Sequence, residues 1–306
     1  MYNNELKQQY IDEKNQEAVL PKNYLQLRFQ SSSSYEEELQ KDICNFTTYE
    51  IMEFYKMLNY SSIESLMCLN SQLSLYTQWC LQKNIVEDNQ NHFLEITLAH
   101  LNSCLNKFLA NKKIVDRKTI LQWCEEIPNP KDKFMLLSLF EFGKSKDFVD
   151  IVEAKVSDIS VEDQTMHLFS GRTVKISKEL MHIAFDADEE RYYYNIAGDN
   201  EQIRLLLNDG HIVKSYPNSS NDTSTFYKGR RIYNALNRNF VYLGIEWMKP
   251  NYLVESGKIH MIKERAEELG MTPQEYVYSN HLQEVLDQYN CKIVRSTFLL
   301  KYGDFL

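Results

Sequence analysis

From Thr47 onward the apolar residues of the chain recur at spacings of three and four. Ile51, Phe54, Tyr55 and Leu58 form one such series, and Leu66, Leu69, Leu73 and Tyr76 form the next. Residues at those spacings share one face of a helix, so each series predicts an amphipathic helix with its apolar stripe turned inward. Ser61-Ser62-Ile63-Glu64 places an N-cap and a first-turn acid at the start of the second helix. A further helix is predicted over residues 92–109. Residues 1–45 are polar, and the Ser31–Ser34 tract reads as a flexible connection between two short helical stretches.

Beyond a basic connection, a new helix is predicted to begin near Lys118. Ile127-Pro128-Asn129-Pro130 interrupts it, and Lys131-Asp132-Lys133 opens another that carries the apolar run FMLLSLFEF. The period then changes to two. Met166 and Leu168 are separated from Val174 and Ile176 by Ser170-Gly171, which predicts a β-hairpin. The stretch KELMHIAFDA returns to helical spacing, residues 195–225 are polar and turn-rich, and helices are predicted at about 228–243, 250–268 and 272–289. The fold class is therefore mainly α with a small antiparallel β-sheet, in two domains. Residues 1–110 form a helical domain, 111–118 a basic linker, and 119–306 a mostly helical domain carrying the sheet.

Composition agrees with this plan. The chain has 306 residues, of which 43% are hydrophobic and 25% charged, which excludes a disordered polymer. Nine glycines and six prolines are present, against about 20 and 15 at average usage. No run of eighteen apolar residues predicts a membrane span, and the polar start MYNNELKQQYIDEKNQE predicts no secretory signal, so a cytosolic location is expected. The six cysteines form no CxxC pair and match no zinc spacing, so they are expected as buried reduced thiols, with no metal site and no cofactor.

Charge is more informative by position than by sum. The formal net charge is −9. Acids gather in Glu36-Glu37-Glu38 and in the DADEE run at 186–190. Residues 106–118 hold Lys107, Lys112, Lys113, Arg117 and Lys118 against Asp116 alone. Residues 226–244 hold Lys228, Arg230, Arg231 and Arg238 with no acid. Two acid-poor basic segments in an acidic protein suit a phosphate-contacting surface on a body that otherwise repels nucleic acid.

The order of elements over roughly residues 45–290 resembles the tyrosine recombinase (phage integrase) superfamily. The resemblance rests on DRKTILQWCEEIPNPKDKFMLLSLFEFGKSKDFVDIVEAKVSDIS at 116–160, on the hairpin HLFSGRTVKIS, and on the basic segment 226–244. It implies a helical core-binding domain and a catalytic-like domain that clamp a DNA duplex from opposite sides. It also implies that 226–244 is the helix laid against the major groove. The family's strand cleavage requires two arginines on the scissile phosphate, a lysine and two histidine-type residues, and a tyrosine nucleophile. Here the glycine turn continues as Gly143-Lys144-Ser145-Lys146-Asp147 without an arginine. Asn251 and Val254 stand where the His and Arg of HxxR belong, and Met271 follows Leu269-Gly270 in place of histidine. Tyr276 and Tyr278 fall a few residues before the nucleophile position. A phenol without its positive clamp is a poor nucleophile at neutral pH. The expectation is that no catalytic residue remains.

This degenerate pattern, GKSKDF and PNYLVESGK above all, resembles the MrpR family of lytic-cycle repressors from SPbeta-like Bacillus phages. That resemblance implies a sequence-specific DNA-binding transcriptional repressor that maintains lysogeny. Its implied partners are a double-stranded operator and a regulatory protein of phage or host, with the protein nucleoid-associated in the bacterial cytoplasm when bound to DNA. On the helix 226–244, Arg231, Asn234 and Arg238 share one face and suit base-edge readout, while Lys228 and Arg230 suit phosphates. Lys144 and Lys146, Arg172 in the hairpin turn, and Lys112, Lys113, Arg117 and Lys118 of the linker complete the expected phosphate contacts. Asp147, Asp150 and Glu153 are read as a solvated helical face. Two other readings stay open: a diverged active recombinase using Tyr276 or Tyr278, and a protein-interaction module of a lysis–lysogeny circuit. The tail 291–306 carries an apolar stripe that packs either on its own domain or on a neighbour. No small-molecule pocket is legible, and the operator and oligomeric state stay open.

Overall fold

The apolar series of the first hundred residues do become helices, and their ends follow local capping chemistry. The computed structural model describes residues 1–16, 22–106, 113–196, 203–217 and 225–306. The chain separates into two compact units, Met1–Asn111 and Lys112–Leu306. The first contains α1 (Asn4–Gln16), α2 (Lys22–Leu39), α3 (Thr48–Met57), α4 (Ile63–Gln82) and α5 (Leu98–Ser103). Thr47 caps α3 through a reciprocal box in which its side chain accepts from Glu50 N and the Glu50 carboxylate accepts from Thr47 N. Tyr10, Phe29, Tyr76 and Trp79 interlock as the aromatic centre of this unit, with Phe29 and Tyr76 edge to face at 4.8 Å.

Two predictions in this unit are corrected. The Ser31–Ser34 tract is not a flexible connection but part of α2. Ser32 is buried, and its hydroxyl donates to Phe29 O at 3.1 Å and to Glu36 at 2.9 Å, so the polar side chains are satisfied within the helix. Glu36, the first acid of the run at 36–38, is fully buried against Lys7. The helix predicted over 92–109 is instead a 3-10 turn at His92–Glu95 followed by α5, because Thr97 starts a new cap on His100. Residues 107–109 of that prediction lie outside the described residues.

In the second unit, α6 (Arg117–Glu126) leads through Pro128 to α7 (Pro130–Phe142). Pro130 opens α7 at a position where no backbone donor is lost. The helix is buried around nearly its whole circumference, as an apolar run without a polar face requires. It is the spine of the domain, flanked by α9 (Lys178–Glu189) and α11 (Pro250–Glu268). After the short α8 (Val149–Val152), strands β1 (Ile159–Ser160), β2 (Thr165–His167) and β3 (Thr173–Lys175) pair antiparallel, with Met166 opposite Val174. Gly171 turns the hairpin at φ +83°. A second sheet, absent from the sequence reading, pairs β4 (Tyr192–Tyr194) with β5 (Ile203–Leu205).

The remaining helices are α10 (Thr225–Tyr242), α12 (Pro273–Tyr278), α13 (Leu282–Gln288) and α14 (Arg295–Tyr302). The helix predicted over 272–289 is thus broken into α12 and α13 at Ser279–His281. The tail packs on its own unit: Phe298 and Tyr302 of α14 join the core, and Lys301 pairs with Glu255 at 2.8 Å. Among the cysteines, Cys44, Cys80, Cys104 and Cys124 are buried thiols, whereas Cys68 is exposed and Cys291 half-buried. No described helix is long and apolar enough to cross a membrane.

Candidate nucleic-acid interface

Helix α10 sits on the domain through Ile232, Ala235, Leu236 and Phe240, all buried. Its opposite side carries Arg230, Asn234 and Arg238, all exposed, and Arg231, half-buried. Between them stand partly exposed aromatics, Phe226, Tyr227, Tyr233 and Tyr242, and no acid occurs in the helix. The start of α10 is seated by Gly229. A Cβ there would collide with the carbonyl of Asp147, so only glycine permits this approach. The partner backbone is itself unusual, because Asp147 and Phe148 both adopt left-handed conformations, at φ +53° and +55°. Lys144 and Lys146 are exposed on this GKSKDF segment, and Lys146 adjoins the residue that contacts α10. The sequence reading named those lysines and the α10 cations but not the glycine that couples them.

Arg231, Asn234, Arg238 and Lys228 share one further feature. All four line a cavity of about 1130 Å³ whose other wall is the β4–β5 hairpin with residues 209–217. The hairpin is pinned to the start of α7 by Asn129, whose amide donates to Tyr194 O at 2.9 Å and whose Oδ1 accepts from Tyr194 N at 2.8 Å. At the cavity wall the Lys131 ammonium sits over the rings of Tyr193 and Tyr216, 4.5 and 4.4 Å from their centroids. Burial pushes the Lys131 ammonium below its ordinary pKa, with Asp132 and Glu190 opposing. Asp132, almost fully buried, accepts on Oδ2 from Tyr193 and Asn239, each at 3.0 Å, and burial pushes its carboxyl upward.

Several cations expected to contact phosphate are engaged inside the protein. Arg172 pairs with Asp150 at 3.0 Å and donates to Gln288 O at 2.9 Å, so it braces the hairpin against α13. Any phosphate contact by Arg172 would be made from this braced position. The bond corrects the solvated reading of Asp150, which is 1% exposed and accepts from Ser170 N as well. Glu153, read as solvated too, accepts from Lys228 at 2.8 Å and from His211 at 3.2 Å. Burial pushes its carboxyl up, yet those two bonds hold it below the ordinary value. Arg117 reaches back to Glu141 at 3.2 Å and Glu179 at 3.1 Å. Lys113 is half-buried over the Tyr252 ring at 4.7 Å. Lys118 is exposed, and Lys112 lies outside the described residues.

Gly143, which opens the turn where the resemblance expects the first clamp arginine, is closely packed. A Cβ on Gly143 would lie 3.1 Å from the Tyr289 ring and 3.4 Å from Val254, and Gly143 itself sits at φ +80°. Tyr289 is buried and donates to Phe140 O at 2.5 Å. A Cβ on Gly257 would collide with the same carbonyl. Tyr276 is buried and donates to His281 O at 3.1 Å, whereas Tyr278 is exposed.

Two family models match the chain. One, described as the MrpR N-terminal core-binding domain, covers residues 1–82, and the other, the MrpR C-terminal catalytic domain, covers residues 114–305. The chain belongs to the MrpR family. Among curated proteins it is similar to the SPbeta prophage-derived uncharacterized protein YopR of Bacillus subtilis strain 168. The two are 24% identical over 308 residues, spanning 96% of this chain and 90% of YopR. The integrase-like, phage-associated character of the MrpR family and its two-domain, mainly helical architecture agree with the fold described above. Within this MrpR-family chain, the groove beside α10 had no signal in sequence. Its walls come from residues as far apart as Lys131, Tyr193, Tyr216 and Arg238, and no local pattern joins them.

Proposed function

We propose that the protein is a sequence-specific double-stranded DNA-binding repressor of phage lytic genes, built on an integrase fold without strand-cleavage chemistry. The observation that carries this reading is α10. It is a long helix with no acid, seated by its apolar side, that offers arginine, asparagine and tyrosine side chains outward. Arginine and asparagine suit the edges of guanine and adenine in a major groove. Lys144, Lys146, Lys118 and Arg230 are exposed and suit phosphate contacts. The reading without cleavage is supported by the sequence, since no arginine follows the glycine turn at 143 and Val254 stands where the arginine of HxxR belongs, so the two guanidinium groups for a pentavalent phosphate are missing. Bound to an operator, such a protein blocks polymerase sterically and maintains lysogeny.

The test is enrichment of phage genome fragments by the purified chain, followed by anisotropy titration at two salt concentrations. The expected result is a few related sites, bound with an affinity that falls steeply in salt, and no covalent adduct on a nicked suicide duplex. Uniform weak binding to all fragments removes the operator-specific reading, and a trapped phosphotyrosine removes the non-catalytic one.

A further inference from the structure

We propose that the groove between α10 and the β4–β5 hairpin is a nucleotide site, and that its occupant competes with duplex DNA for the same helix face. The inference rests on the readout role proposed for α10, because Arg231, Asn234 and Arg238 line the groove.

Three observations define the ligand. The volume, about 1130 Å³, is that of a small-molecule cleft and far too small for a folded partner. The wall carries two tyrosines, Tyr193 and Tyr216, edge to face at 5.7 Å, with the Arg204 guanidinium 6.0 Å from the Tyr216 centroid. Tyr193 is buried under Lys131, so the half-buried Tyr216, with Arg204 beside it, is the ring against which a planar ligand would stack. Asp132 lines the same cavity at 1% exposure, and its Oδ1 meets no donor among the described residues. That oxygen is closed to solvent, so a ligand donor meets it only after the carboxyl turns toward the groove, and the cost of a buried carboxylate oxygen without a partner favours that turn. The amino-bearing edge of a purine supplies one, with an adjacent ring nitrogen able to accept if the carboxyl is protonated. Arg204 on β5 and Arg238 on α10 stand on opposite walls and suit the phosphates. Apolar ligands leave Asp132 unanswered, and bare phosphate leaves the tyrosines unused.

The site would make repression responsive to a nucleotide. Because α10 cannot face the groove's occupant and a duplex at once, binding of either weakens the other by the same factor.

The experiment is calorimetry on the full chain with ATP, GTP and inorganic triphosphate, beside anisotropy of a bound duplex during nucleotide addition. One nucleotide per chain is expected, with triphosphate much weaker and the duplex released as nucleotide rises. Tyr216→Ala and Arg204→Ala each weaken nucleotide about tenfold, the loss expected for one stack or one charged contact. Arg204 is exposed on a hairpin edge, so that variant keeps the test valid if Tyr216→Ala perturbs its loop. No uptake at millimolar nucleotide overturns the proposal, as does triphosphate binding as tightly as ATP, or nucleotide uptake that leaves duplex affinity unchanged. Uptake by a chain that binds no duplex would keep the nucleotide site and remove the repressor reading instead.

Discussion

Each unit of this protein buries a lysine beside a carboxylate, and the two arrangements differ in how completely they are closed. In the first unit, Lys7 and Glu36 are both fully buried in an ion pair, and Lys7 also donates to Tyr2 O at 3.0 Å. Glu36 further accepts from Ser32 and from Ile43 N, while neighbouring Asp42 accepts from Asn3, Cys44 N and Tyr76. In the second unit, Lys131 lies over two tyrosines and one Asp132 oxygen meets no donor among the described residues, on the wall of an open groove. A saturated buried network locks chain segments together, here α1, α2 and the turn at residues 42–45. An unsaturated one carries the cost of its unpaired group, which the proposed ligand would relieve. The same residue types therefore serve packing in one place and recognition in the other.

The largest expected effect lies in the closed network. Lys7→Met leaves Glu36 buried without its counter-charge, and chemical denaturation should show a loss of about 3–5 kcal/mol. The double variant Lys7→Met/Glu36→Leu should recover only part of it, because Ile43 N and Tyr2 O lose their partners and Asp42 stays buried without Lys7. Full recovery would mean that the pair contributes nothing beyond mutual neutralisation.

The next largest effect separates bracing from binding. Arg172→Ala strands Asp150 and should lower stability by about 3 kcal/mol. An unchanged denaturation midpoint with weakened duplex binding would return Arg172 to the interface. On α10, Arg231→Ala should cost about 1–3 kcal/mol on the operator and relax preference at one base pair. Lys146→Ala should weaken all sequences alike and lower the salt slope by about one contact. Equal losses on operator and random DNA for both variants would remove the assigned readout face.

The smallest effect concerns pH at the edge of the open network. Burial raises the Glu190 carboxyl from its ordinary 4.5 to about 7. The folded chain therefore holds more protons than the unfolded chain between those values, and this residue's contribution to stability falls as pH rises through that window. Glu190→Gln should match the parent near pH 5 and exceed it near pH 8. Because Glu190 is only partly buried, the gain should stay well below the ~3 kcal/mol of a fully buried shift of that size. Thermal unfolding at the two pH values reads it directly, and a variant less stable at both would sink the assignment.

Much of the fold was legible because it is local. The start of α11 at Pro250, the onset of α3 after Thr47 and the β2–β3 turn at Gly171 follow from residues within a few positions of one another. Strand β5 was not legible, because three residues are too short a period-two pattern to read, and Ile203, Arg204 and Leu205 are all exposed, so no buried face marks it. The serine tract of α2 misled for a related reason. Its polarity is satisfied by Phe29 O and by Glu36, and what brings Glu36 into the core is Lys7, twenty-nine residues away. In the candidate site, the common face of Arg231, Asn234 and Arg238 was readable from helical spacing, whereas the fate of Arg172 depended on Asp150, twenty-two residues earlier.

What the sequence by itself determined is most of the helices, the small hairpin, the two-part order and the location of acid-poor basic segments. Those follow from periodicity, caps and turns, whose energies are settled within a few residues. What only the tertiary structure decided is which charges face outward. A guanidinium becomes a brace or a contact according to whether a buried carboxylate stands near it, and that proximity is created by packing between distant segments. The groove has the same origin, since Lys131, Tyr193, Tyr216 and Arg238 meet only after α7, the β4–β5 hairpin and α10 have packed together.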